Sequence, residues 1–158
     1  MKTCKSALLA VLGGTMAATI APARVAAQAA YGSYVGVGGS IGNNGNGSGV
    51  VAVRYHLINL PVSIRAQGFI GDGVAVVPTI SYDYDLNFQT DAYLGAGVSF
   101  ADGDTPVGDR TSFALQPGID HAIPDSNVVV FGNAIIAFEG DRDDGTTFSL
   151  QGGVGLQF

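Results

Sequence analysis

Few side chains here could do chemistry, and most of those are charged. The chain of 158 residues has seven basic and thirteen acidic residues, two histidines, one cysteine and no tryptophan. Arg54, Arg65, Asp83 and Asp120 each lie near one end of a segment in which apolar and polar residues alternate, and all four share the parity of the polar face. Opposite charges so placed can form a buried layer of ion pairs, since charges in a narrow bore must pair to offset the loss of water. A proton or ion path is the functional alternative for the same residues. Catalysis would need a nucleophile within hydrogen-bond reach of a base. The only histidines are His56 and His121, and no serine stands two residues from either. His56 has inward parity and can pair with Asp83 or Asp85, whereas His121 has the parity of the apolar face, so no catalytic residue is assigned. The run Asp141-Arg142-Asp143-Asp144-Gly145, with Asp102, Asp104 and Asp109, resembles a calcium loop but lacks its D-x-D-x-D-G spacing and distal glutamate. It reads as a solvated loop, with no metal and no cofactor expected. The run at 42–49, GNNGNGSG, precedes no helix, so it is a turn and not a phosphate cradle.

The elements that must position these groups follow from a period of two. Turn-type residues divide the chain into strands near 33–42, 49–57, 62–70, 73–86, 91–101, 111–123, 127–139 and 147–158, with no sustained helical period. Eight strands of this length suit tilted crossings of a bilayer. One face carries Val51, Val53, Tyr55 and Leu57, then Val62, Ile64 and Ile70, then Val74, Val76, Ile80, Tyr82, Tyr84 and Leu86. It continues through Leu94, Val98, Phe100, Phe113, Leu115 and Ile119 to Phe148, Leu150, Val154, Leu156 and Phe158. The other face is small or polar, including Gly36, Gly38, Ser40, Gln67, Thr79, Ser81, Gly95, Gly97, Ser99, Gln116 and Gly118. So few charges make a poor hydrated exterior but a fitting crowded polar lumen, so the apolar face belongs outside. In 127–139, Phe131 and Ile135 share parity with Asn133 and Glu139, which leaves that strand's register open.

The first residues read as a secretory signal peptide, 1–29, with the barrel domain over 30–158. Two lysines precede an apolar stretch from Ala7 to about Ile20, and small-x-small cleavage sites end at Ala27 and Ala29. Cys4 leaves with this leader, which removes thiol and disulfide chemistry. Four arginines (54, 65, 110 and 142) then face thirteen acidic residues, a net charge of −9 (4 − 13), with no lysine after position 5. Such a chain has no basic patch for nucleic acid, and none is expected as a partner.

With a periplasmic N-terminus, the outer loops are 43–48, 71–73, 102–110 and 140–146, and the inner turns 58–61, 86–90 and 124–127. Long acidic loops thus fall on one side and tight turns on the other. Phe100, Phe113, Phe138 and Phe148 form an outer aromatic girdle, and Tyr55, Tyr82, Tyr84 and Phe158 an inner one.

Over essentially the whole mature sequence the chain resembles the OmpA/OmpX-type family of small outer-membrane barrels. Its closing FSLQGGVGLQF, with Leu156 and Phe158, resembles the C-terminal signal read by the barrel assembly machinery. The resemblance implies an all-β, eight-stranded antiparallel up-and-down transmembrane β-barrel in the bacterial cell outer membrane. It also implies extracellular loops, periplasmic termini and contact with outer-membrane lipid and lipopolysaccharide. The expected protein is a monomeric, porin-like barrel with a plugged lumen and a structural or surface-interaction role. A lipid A-modifying enzyme and a narrow pore are the alternatives, and a soluble ligand-binding barrel is more distant. The chain departs from the family in its shorter loops and in carrying no peptidoglycan-binding domain.

Overall fold

A computed structural model describes residues 32–141 and 145–158. The leader expected over 1–29 lies outside them, as do Arg142, Asp143 and Asp144 of the acidic loop. The strands are β1 (Tyr34–Gly42), β2 (Gly47–His56), β3 (Val62–Gly71), β4 (Val74–Asn87), β5 (Thr90–Asp102), β6 (Ser112–Ala122), β7 (Val128–Asp141) and β8 (Gly145–Gln157). Each pairs antiparallel with the next, and β1 pairs with β8 to close the barrel. Closure leaves no strand edge exposed. One end carries Gly32, Phe158 and the β2–β3, β4–β5 and β6–β7 turns, and is called the terminal end. The other, the loop end, carries the remaining connections.

β-Branched and aromatic residues at every second position drive this pattern. In β4, burial alternates without a break from Val74 to Tyr84. The two strand prolines sit where a ladder can spare a donor. Between β4 and β5 the partners run to Val76–Phe100 and resume at Thr79–Gly97, spanning Pro78. Between β6 and β7 they skip from Leu115–Ile136 to Gly118–Asn133, spanning Pro117. A proline has no N–H to give, so each interrupts the ladder on one side only.

The register left open for β7 is settled by its contacts. Phe131, Asn133, Ile135 and Ala137 point into the bore. Glu139 escapes that parity through a φ of 56° and a register shift against β8 between Ala137 and Asp141, which turn it to solvent.

Inside, the small-and-polar reading needs correction. Tyr34, Val50, Phe69, Val77, Tyr93, Phe131 and Ile135 are all buried in the bore. Glycine on the inner face makes room for the rings. A Cβ on Gly153 would meet Phe131 Cζ at 2.6 Å, and one on Gly118 would meet the Tyr93 hydroxyl at 2.5 Å and Asn133 Cβ at 2.6 Å. Real Cβ atoms do not approach so closely, so glycine here is a packing requirement.

The connection at 103–111 also differs from a free acidic loop. Its tip, Thr105-Pro106-Val107-Gly108, is buried, and Val107 joins the apolar cluster of the bore. The turn is closed by Gly108 N–H donating to Thr105 O at 3.1 Å. Asn44 Nδ2 donates to Thr105 O at 2.9 Å, and Asp109 N–H to Gly140 O at 2.8 Å. This segment therefore folds across the mouth of the loop end, with Asp102, Gly103 and Asp104 exposed before the tip and Thr111 after it.

Candidate functional site

Arg54 and Arg65 are direct partners across the β2–β3 ladder, and Asp91 and Asp120 are direct partners across β5–β6. Like charges facing each other on one sheet face repel. Here the two arginines and the two aspartates lie on different parts of the wall, and the narrow bore brings them together with Asp83 of β4.

Arg54 is 1% exposed and uses its whole fork. Nη2 lies 2.9 Å from Asp83 Oδ2 and 3.1 Å from Asp91 Oδ2, Nη1 lies 3.2 Å from Asp120 Oδ2, and Nε donates to Ser63 Oγ at 3.1 Å. Arg65 reaches Asp120 Oδ2 at 2.9 Å and Asp83 Oδ1 at 3.2 Å, and donates from Nε to Ser81 Oγ at 2.8 Å. Its guanidinium carbon stands 3.3 Å from the centroid of the Tyr93 ring, a cation–π contact in a dry setting. The Tyr34 hydroxyl donates to Asp120 Oδ1 at 2.9 Å, and the Ser63 and Ser81 hydroxyls donate to Asp83. Charge-assisted bonds of this kind are about twice as strong as neutral ones, and arginine's planar fork serves several carboxylates at once.

All four expected ion-layer residues therefore meet. The network also takes in Asp91, Ser63, Ser81, Tyr34 and Tyr93, which sequence reading left out. Parity was the available signal for all five, since Tyr34 shares that of Gly36, Ser63 that of Arg65 and Ser81 that of Asp83. Leu94 faces outward, so Asp91 and Tyr93 on the same strand had to face inward.

His56 also differs from its expected surroundings. A serine does stand beside it, because Ser63 is its partner across the β2–β3 ladder. His56 Nδ1 is 3.2 Å from Ser63 Oγ and 3.5 Å from Asp83 Oδ2. This trio is not arranged as a nucleophile and its base. The Ser63 hydroxyl proton points to Asp83, its oxygen accepts from Arg54, and the side chain is fully buried. A nucleophile must instead give its proton to the base and face the substrate. His121 is exposed on the outer side, with Nδ1 2.8 Å from Thr90 Oγ1. An open cavity of ≈ 290 Å³ at the terminal end is lined by His56, Asn59, Leu60, Pro61, Asp83 and Asp85. Among the described residues no group of three or more histidine, cysteine, aspartate or glutamate side chains is placed to hold a metal ion.

Toward the loop end, Thr79 Oγ1 donates to Gln116 Oε1 at 2.6 Å, and Gln151 Nε2 donates to Ser40 Oγ at 3.2 Å. Val50, Phe69, Val77 and Ile135 fill space between these polar pairs and the capping Val107.

On the outer surface, Phe100, Phe113, Phe138 and Phe148 are exposed near the loop end, with Phe113 and Phe138 stacked at 5.8 Å between centroids. Tyr55, Tyr82, Tyr84 and Phe158 are exposed near the terminal end, and Leu156 is exposed beside Phe158. Between the two sets lie Val37, Ile64, Ile80, Leu94, Leu150 and Val154, also exposed.

An aliphatic belt outside, an ion network inside and eight antiparallel strands closed on themselves define the transmembrane β-barrel fold. Solved structures of that kind are similar to this one. One, described as a de novo design of transmembrane β-barrels, matches with a TM-score of 0.61 at 8% identity, covering 80% of this chain and 96% of that one. The crystal structure of Neisserial surface protein A (NspA) matches with a TM-score of 0.53 at 18% identity, covering 80% of this chain and 97% of that one. At such identities the likeness is one of fold. No family model and no curated protein matches the sequence.

Proposed function

We propose that this chain is a monomeric barrel of the bacterial outer membrane with a structural or surface-interaction role and no catalysis of its own. Its loops face outward and both termini face the periplasm. The barrel assembly machinery inserts it, reading the closing strand that ends at Leu156 and Phe158, and its surroundings are outer-membrane lipid and lipopolysaccharide. The Arg54–Arg65–Asp83–Asp91–Asp120 network plugs the bore.

The observation that carries this reading is the inverted distribution of side chains. Isoleucine, leucine, valine and phenylalanine stand exposed around the wall while two arginines and three aspartates are buried. In water this arrangement would be unstable, since burial of apolar area is the main favourable term in folding. In lipid it satisfies every backbone group and hides the charges. Strands of nine to fourteen residues, rising about 3.3 Å per residue with a tilt of about 40°, match an apolar band of about 25 Å.

Heat modifiability tests the proposal. The protein from an outer-membrane fraction is expected to run as a compact, faster species before boiling and to shift after it. Recovery in the soluble periplasm without a shift would reverse the inside-out assignment. A charge on the wall tests the same point energetically. Ile80→Arg is expected to destabilise the vesicle-inserted barrel by about 2–4 kcal/mol if Ile80 sits near mid-bilayer. An unfolding midpoint equal to the wild type's would place Ile80 in water.

A further inference from the structure

The apolar surface does not stop where the strands end. On β4 the outward column Ile80, Tyr82, Tyr84 and Leu86 runs on into the β4–β5 turn, where Phe88 is 91% exposed. In the β2–β3 turn, Ile58 is 82% and Leu60 56% exposed. Neither turn is loose. Leu60 N–H donates to Leu57 O at 3.3 Å, and Asn59 takes the positive φ of 73° that asparagine tolerates. Asp83 N–H donates to Pro61 O at 2.8 Å, which ties the β2–β3 turn to the extended end of β4. The β4–β5 turn is held by Gln89 N–H donating to Asn87 Oδ1 at 2.9 Å and by Ala122 N–H donating to Gln89 O at 2.8 Å. Phe88 is therefore held at the end of the outward β4 column, and Ile58 and Leu60 are held exposed at the rim, Leu60 also bordering the terminal-end cavity.

The rest of the terminal rim is different in kind. The β6–β7 connection runs from Ile123 to Asn127; its tip, Pro124-Asp125-Ser126-Asn127, is exposed, Ile123 at its base is 39% exposed, and Ser126 Oγ donates to Ile123 O at 2.9 Å. The β2–β3 and β4–β5 tips are thus apolar and the β6–β7 tip is polar, with Ile123 and Phe158 the exposed apolar residues on that side.

We propose that the apolar half-rim, formed by the β2–β3 and β4–β5 turns, is embedded in the lipid interface, so that the barrel sits with this side deeper in the leaflet than the β6–β7 side. The inference rests on the reading of the barrel as membrane-spanning. Lipid is the occupant because Phe88 continues the outward column of β4 without interruption and the β2–β3 turn is tied beside that column, so the contact extends from the same phase that covers Ile80 and Tyr82. The amides of Asn59, Asn87 and Gln89 flank the apolar tips, a pairing suited to the boundary between acyl chains and headgroups. Asp85 and Asp91, each three residues from Phe88, have inward parity: Asp91 is buried against Arg54, and Asp85, exposed, borders the terminal-end cavity.

The absence of tryptophan makes the test clean. Four single-tryptophan variants, Ile80→Trp, Leu60→Trp, Phe88→Trp and Asn127→Trp, are folded into two sets of phosphatidylcholine vesicles, one with acyl chains brominated close to the headgroups and one with them brominated near the chain ends. Each is first checked for the heat-modifiable band. Ile80→Trp, Leu60→Trp and Phe88→Trp are expected to lose emission to the brominated lipid of at least one set, with maxima blue-shifted relative to Asn127→Trp. Asn127→Trp is expected to be quenched by aqueous iodide instead. If Ile80→Trp is quenched by lipid while Leu60→Trp and Phe88→Trp behave like Asn127→Trp, the rim inference is overturned and the spanning barrel stands. If Ile80→Trp itself escapes both lipid quenchers, both fail together. Quenching of all four to the same extent would overturn the asymmetry.

Discussion

Replacing Arg65 with alanine is expected to lower the unfolding free energy of the vesicle-inserted barrel by about 3–5 kcal/mol, the cost of breaking a buried ion pair from one side. The loss is large because of what remains. Asp120 and Asp83 would each lose a guanidinium partner, Ser81 would lose the donor at its oxygen, and Tyr93 the cation over its ring. Arg54 alone would then face three buried carboxylates while its own fork is already shared among them. Arg65→Lys is expected to recover part of the loss, since an ammonium restores charge but cannot span Asp83, Asp120 and Ser81 together. The measurement is a urea midpoint followed by far-UV circular dichroism. A midpoint matching the wild type's in Arg65→Ala would remove the ion layer from any account of this protein's stability.

Phe131→Ala should cost a similar amount, about 3–5 kcal/mol, by a different mechanism. Phe131 is 1% exposed and stacks on Tyr34 with ring centroids 5.9 Å apart. It fills the hollow left by Gly36 and Gly153, whose missing side chains leave no other atoms to collapse inward. Truncation therefore opens a cavity that the wall cannot close. It also removes the neighbour that holds Tyr34 toward Asp120, so the ion layer feels it too. Phe131→Leu is expected to keep more than half of the lost stability, because most of the volume returns. Were Phe131→Ala to unfold at the wild-type urea concentration, the apolar part of the bore would be packing of no consequence.

These two variants probe halves of the bore that were unequally legible. Arg54, Arg65, Asp83 and Asp120 were readable because a charge on the inward parity of a membrane-length strand has nowhere to go but the lumen. Phe69 and Phe131 have that same inward parity, yet composition alone argued for a small and polar interior. A phenylalanine carries no sign of which neighbours are glycines across the ladder, and that pairing depends on register. Ser63 next to His56 was hidden for the same reason. The two are seven residues apart along the chain and directly opposed across a hairpin, so a search by local spacing passes over them. The loop at 102–110 was misjudged because its three aspartates, Asp102, Asp104 and Asp109, suggested solvent, whereas its TPVG tip is the part that turns inward.

The strand count, the alternation and the choice of outward face were written in the chain itself, because a period of two is a property of neighbouring residues and needs no partner to be read. How the bore is filled was decided only by closure. Bringing β1 against β8 sets Gly36, Gly38 and Gly39 opposite Gly155, Gly153 and Gly152, and with β7 next to β8 this opens the space that Phe131 and Tyr34 occupy. The same closure carries Asp91 and Asp120 across to Arg54. Such contacts lie between residues far apart in sequence, and their geometry exists only once the last strand has met the first.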